Sequence, residues 1–301
     1  MRNTPLLIAK AVIASLFIAA LVWWAQAHLD WRDVLSAWQR VSVLDVALVV
    51  ALILLSHGLR VLRVFLAYRR LQPVSFVNVS GVSLSHNTIS FLLPMRLGEL
   101  ALPLLSRKKL DISYSYSSAT LLLLRVFDAH WLLILLSITA SSSYLSDQAN
   151  SIIWLIIAST PVVLAVLVYF LAKAPRFSSI RPLVQSPSLL IMLYLCTGAI
   201  WLVKLSALAW LASVLGQIDI QHAWLATILA DASALSPITG FANAGTFEAA
   251  FALPLLPLGY DSAVLVGAAL NLHLLVLVTN IGAGLIGALI LTFNKSEKQV
   301  P

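Results

Sequence analysis

Between His86 and Asp128 the chain carries side chains that an apolar stretch rarely tolerates. Asn87 opens the stretch, Pro94-Met95-Arg96-Leu97-Gly98-Glu99 interrupts it, and Arg107-Lys108-Lys109 and Arg125-x-x-Asp128 follow. Ionisable groups at membrane depth are costly and face a partner or a watery cavity, so each is a candidate site residue. Arg96 and Glu99 are three apart, which on helical backbone places them on one face as a neutralising pair. Arg125 and Asp128 repeat that spacing. A guanidinium's planar fork suits a carboxylate or a phosphate. Two readings stand side by side: ion pairs that only hold the fold, or Arg96 and Arg125 binding a phosphate while Glu99 and Asp128 orient them.

A second interrupted stretch, residues 222–259, holds Asp231, Pro237, Gly240, Gly245, Glu248, Pro254 and Pro257. Its carboxylates would serve proton or cation coupling, recognise a cationic head group, or cap backbone donors at the break. Lys204 would pair with one of them or snorkel to the interface. His57, Arg60 and Arg63 recur every three residues near a basic segment end and read as an interfacial anchor. No His-Glu-x-x-His, Cys/His cluster or Gly-rich phosphate loop is present, so neither a metal nor a cofactor is expected. The lone Cys196 excludes an intrachain disulfide.

These residues must be positioned by helices in lipid. The 301-residue chain is 60% hydrophobic and 10% charged, with mean hydropathy +0.96, and its apolar runs are continuous rather than alternating. That excludes a soluble domain and an outer-membrane barrel. The net charge of +7 sits in short inter-helix segments, which fits the positive-inside rule and anionic lipid rather than nucleic acid.

Spans are expected at residues 6–27, 45–66, 114–140, 152–172, 189–215 and 262–293. Ala25-Gln26-Ala27 resembles a signal-peptidase site, but the run is long and carries Trp23-Trp24 as an anchor. Residues 74–106 leave one basic cluster and return to another, so they should enter the membrane and turn back. Residues 222–259 have no basic residue at either end and should do so from the other side. The expected fold is a single all-α polytopic membrane domain, about six transmembrane helices plus two re-entrant broken-helix hairpins. Residues 1–145, with hairpin 74–106, and 146–301, with hairpin 222–259, would form an inverted repeat. Eight kinked spans is the alternative. Both termini are expected on the cytoplasmic side of the plasma (inner) membrane.

The two broken segments resemble those of the lysylphosphatidylglycerol synthase transmembrane-region family of flippase-like membrane proteins. The likeness rests on Asn87, Pro94-x-Arg96-x-Gly98-Glu99, the basic cluster and Arg125-x-x-Asp128, then on Pro237, Gly240 and Gly245-Thr246-Phe247-Glu248. This chain departs from the pattern in two places. Ile238-Thr239 and Asn243-Ala244 dilute the second glycine turn, and the last span offers Asn271, His273 and Asn280 where an Arg is usual. No extramembrane segment here could form the family's soluble aminoacyl-transferring domain, so no transferase activity is carried over.

The resemblance implies a flippase-like protein that translocates a phospholipid or polyprenyl-phosphate-linked lipid between leaflets through a central polar cavity. Its expected partners are that anionic or polyprenyl-linked lipid, the surrounding membrane lipids and a lipid-biosynthesis enzyme, with no nucleic acid. Arg96, Glu99, Arg125 and Asp128 lead the expected substrate-binding set, with Asn87, Lys204 and Glu248 beside them. A membrane enzyme of lipid or lipid-linked-sugar modification, or a non-transporting accessory subunit, is the alternative.

Overall fold

The computed structural model describes residues 31–140, 147–173, 181–235 and 241–294. Among these every regular element is helical. In chain order they are α1 Trp31–Ser36, α2 Val43–Arg69, α3 Phe76–Leu92, α4 Ala101–Leu110, α5 Tyr114–Ala140 and α6 Asp147–Lys173. Then follow α7 Arg181–Val184, α8 Pro187–Gly216, α9 Ile220–Ala232, α10 Thr246–Ala252 and α11 Ser262–Phe293, with short 3-10 turns at the breaks. The expected first span, residues 6–27, lies outside the described residues, as do Pro237 and Gly240.

Helix starts follow capping chemistry. Ser42 accepts the Asp45 N–H at 3.1 Å and donates to its carboxylate at 2.7 Å, a reciprocal box that opens α2. Asp261 accepts the Ala263 and Val264 N–H groups ahead of α11. Asp111 (φ 54°) closes α4 in the left-handed conformation.

Four helices, α2, α5, α8 and α11, are long and apolar enough to cross a bilayer. Leu48, Leu55, Leu122, Ile191, Leu195, Leu274 and Leu285 on these helices remain exposed outside the packed interior, as lipid-facing side chains do. The chain is a multi-pass membrane protein.

The two interrupted segments are broken helices. In the first, α3 (17 residues) and α4 (10 residues) flank a 3-10 turn over Pro94–Leu100. A Cβ on Gly98 would collide with the Ile89 carbonyl oxygen and come within 2.5 Å of the Ser90 Cα, so only glycine lets the turn lie against the end of α3. In the second, α9 (13 residues) packs against α10 (7 residues). Each limb is shorter than the ~20 residues a hydrocarbon core requires.

The described chain divides into two compact units. Of the described residues, the first contains 31–53, 88–99, 205–235 and 241–281. It buries Leu208, Leu211, Phe251, Leu265 and Leu272. Asn271 ties it together by accepting the Trp38 indole N–H and donating to the Val34 carbonyl, each at 2.8 Å.

Of the described residues, the second unit contains 54–87, 100–140, 147–173, 181–204 and 282–294. Its core gathers Tyr68, Val79, Leu102, Ile112, Tyr116, Leu124 and Leu193. Pro161 interrupts the α6 ladder, because proline cannot donate to the Ile157 carbonyl four residues back. His130 repairs the loss: its Nε2 lies 3.1 Å from that carbonyl and therefore donates. Its Nδ1 then accepts the Tyr194 hydroxyl at 2.9 Å. One imidazole thus fastens α5 to α6 and α8.

Candidate functional site

The second unit contains a charge cluster built on Asp128. α5 brings Asp128 to full burial. Arg63 of α2 donates to both its oxygens, at 2.7 and 3.4 Å, and to Thr197 Oγ of α8 at 2.8 Å. Arg125 adds a contact at 3.2 Å from one turn away, and the Trp201 indole N–H donates at 3.0 Å. The Trp201 ring in turn receives Arg60 and Lys204, with their charged ends 5.2 and 5.7 Å from its centre. Cation–π contact lowers the cost of holding such charges together in a dry site.

Beside Asp128 lies a cavity of about 20 Å³, lined by Arg60, Arg63, Ser83, His86, Asn87, Arg125 and Asp128 among apolar neighbours. Three guanidinium groups therefore meet one carboxylate. Arg63 Nε, Ser83 Oγ and Asn87 Nδ2 are buried along this lining with no hydrogen-bond partner among the described residues. Buried donors without an acceptor are rare and call for one. The volume suffices for one water but not for a phosphate group.

Arg63 is where the sequence reading is corrected. It is no interfacial anchor: only 4% of it is exposed and it is the main partner of Asp128. The reading of Arg96 and Glu99 as a helical pair is also corrected. Arg96 adopts φ 58° inside the 3-10 turn, which removes the helical three-residue geometry, and no ion pair joins it to Glu99. The Arg96 Nε is buried with no hydrogen-bond partner among the described residues. Both residues belong to the first unit, whereas Asn87, Arg125, Asp128 and Lys204 belong to the second.

Glu248, also in the first unit, sits in a tight cluster of its own. It is the third residue of α10, where one carboxylate oxygen accepts the Gly245 N–H at 2.7 Å. Its other oxygen lies 2.6 Å from His273 Nδ1 on α11. His273 Nε2 lies 2.7 Å from the Ala242 carbonyl. Ala242, Asn243 and Gly245 all have positive φ (51°, 62° and 83°), a conformation that costs an alanine about 1 kcal/mol or more. Phe247 stacks on the imidazole at 4.7 Å between centroids and Phe91 meets its edge at 6.0 Å. Sequence reasoning named His273 only as a replacement for an arginine. Its pairing with Glu248 across 25 residues has no local signature.

The profile of the lysylphosphatidylglycerol synthase TM region matches residues 8–284, nearly the whole chain. The chain belongs to that family. No curated protein matches it. Membership and the four apolar helices agree on a protein embedded in the membrane, and the family fits a role concerned with membrane lipid. The match covers the membrane region that gives the family its name, so synthesis is not thereby assigned to this chain.

Proposed function

We propose that this family member moves an amphipathic lipid between leaflets, its anionic phosphate passing through the Arg60–Arg63–Arg125 cavity while its chains stay in the bilayer. The observation that carries this reading is the charge balance of the cavity: three guanidinium groups, together with Ser83 and Asn87 donors that have no partner among the described residues, against one carboxylate, among apolar helices. An anion with several acceptor oxygens complements that lining, and a phosphate presents such oxygens to the guanidinium fork.

Asp128 is the resting counter-charge. Arg63 is held by two acceptors, Asp128 and Thr197, whereas Arg125, with about a quarter of its side chain exposed and a longer 3.2 Å contact to Asp128, is the more accessible of the two. Because the cavity is only water-sized, admission of a phosphate requires its lining to open. In the first unit, Arg96, whose Nε has no hydrogen-bond partner among the described residues, is a separate phosphate ligand in this reading, with Glu99 on the same turn. Asn87 donates an amide, and Lys204 extends the positive field. The short limbs of both breaks support a reading as re-entrant hairpins, and the loop charges support an inverted repeat with both termini cytoplasmic.

The test is fluorescent-lipid accessibility in proteoliposomes with anionic and zwitterionic head groups. Arg125→Gln should abolish leaflet exchange while the protein stays folded, because Asp128 keeps Arg63 and Trp201. Arg96→Ala should slow exchange with similarly little effect on stability. Exchange that is as fast in both variants as in wild type would overturn this use of the cavity. Folded protein that exchanges no lipid would overturn the transport reading itself.

A further inference from the structure

Glu248 and His273 make three hydrogen bonds between them, and these bonds fix how many protons the pair holds. The Gly245 N–H and the Ala242 carbonyl are backbone groups and cannot change role. His273 Nε2 must therefore carry a proton to reach Ala242, and the 2.6 Å approach of Nδ1 to Glu248 needs one more proton between them. The pair holds two protons on its heteroatoms and is neutral as a whole, as imidazolium with carboxylate or as imidazole with carboxylic acid.

Removing one proton sets a ring lone pair against a carboxylate oxygen, or turns the ring to its other tautomer and abandons Ala242. Adding one puts a proton on the oxygen that faces the Gly245 N–H, or drives Glu248 and His273 apart. Either change breaks one of the three bonds. Two of those bonds hold Ala242 and Gly245, either side of Asn243, in a stretch of positive-φ backbone that is costly to maintain.

We infer that Glu248 and His273 form a proton-binding site that locks the broken segment ahead of α10, and that gain or loss of one proton releases it. The role of this release in driving lipid movement rests on the transport reading above. The Phe91 and Phe247 rings lie against the imidazole. The ionisable groups on the described elements of this unit include His222 and Asp231 of α9, Arg96 and Glu99 of the first turn, and Arg32 of α1. The three bonds of Glu248 and His273 given above involve none of them. His222 is engaged with the Tyr260 hydroxyl at 2.9 Å. In an apolar enclosure of this kind, a protonation change translates into conformation rather than into screening by solvent.

The experiment is ¹⁵N NMR of histidine-labelled full-length protein in liposomes, with the His273 signal among six histidines assigned by its loss in His273→Gln. The expected signal is an Nε2-protonated ring whose Nδ1 shares its proton with a carboxylate, changing in one step across the pH series. In Glu248→Gln, which keeps the shape and removes the acid, that step should vanish. A neutral ring protonated at Nδ1, unmoved by pH and by Glu248→Gln, would refute the site.

Lipid exchange in proteoliposomes should vary about 5-fold or more across the same range in wild type and stay flat in Glu248→Gln. Exchange without pH dependence in wild type would remove the coupling and leave lipid transport standing. If no lipid exchanges at any pH, the transport reading fails and the NMR result alone decides the proton site.

Discussion

Replacing Asp128 by asparagine keeps the shape of the side chain and deletes the carboxylate that Arg63, Arg125 and Trp201 all address. Two effects contribute, and their sizes differ. Interhelical hydrogen bonds in membrane proteins average only ~0.6 kcal/mol, so weakening these three contacts would cost about 2 kcal/mol at most. Stripping the counter-charge from a buried guanidinium costs about 3–5 kcal/mol. The charge effect dominates, and Asp128→Asn should destabilise by about 3–5 kcal/mol. That corresponds to a fall in the thermal midpoint on the order of 10 °C, by analogy with soluble domains.

The same reasoning separates charge from shape. Arg63→Gln together with Asp128→Asn removes both ends of the main pair and should recover at least about 1 kcal/mol of the loss, as coupled neighbours do. Thr197→Val takes away only Arg63's second acceptor and should cost no more than about 1 kcal/mol. The assay is size-exclusion retention of detergent-solubilised protein after a temperature series, with all four variants in parallel. If Asp128→Asn unfolds within about 1 kcal/mol of wild type, or the double variant is as unstable as the sum of the two singles, the buried ion pair does not hold this unit.

Two other perturbations test the packing. Gly98→Ala should lower the yield of folded protein, with a cost of at least about 1–3 kcal/mol, because the new methyl meets backbone at Ile89 and Ser90 rather than a side chain that can turn aside; membrane-fraction yield and thermal midpoint report it. His130→Leu should cost about 1–3 kcal/mol by orphaning the Ile157 carbonyl, and much of that should return in His130→Leu with Pro161→Ala, which gives α6 back its own donor; the thermal midpoints of the two variants check it.

Long apolar helices were legible because lipid enforces continuous hydrophobic runs: residues 114–140 were expected as a span and Tyr114–Ala140 is the helix. The expected span at 45–66 stops short of the helix end at Arg69, because arginine ordinarily marks an interface. Arg63 is instead buried, and the carboxylate that makes this tolerable lies 65 residues downstream. Both breaks were readable from Pro94, Gly98 and the second proline and glycine set. What the breaks do to side chains was not, since helical spacing loses its meaning once Arg96 turns left-handed. Asn87, Arg125 and Asp128 stood out as polar residues in apolar surroundings, whereas the Glu248–His273 contact joins residues that only tertiary packing brings within reach.

The Arg63–Asp128 pair also sets a condition on how the chain is made. α2 leaves the ribosome with Arg60 and Arg63 before α5 exists, and an unpaired arginine costs up to about 2.5–3.5 kcal/mol on insertion scales, less toward the end of a helix, where these two lie. At 5–20 residues per second, the 65 residues to Asp128 take roughly 3–13 s to synthesise. During that interval Arg63 of α2 lacks the carboxylate that neutralises it in the finished unit. Thr197 and Trp201 arrive later still. Biogenesis of this unit is therefore a delayed neutralisation, in which the first helix of the cluster is secured only when the last one has been made.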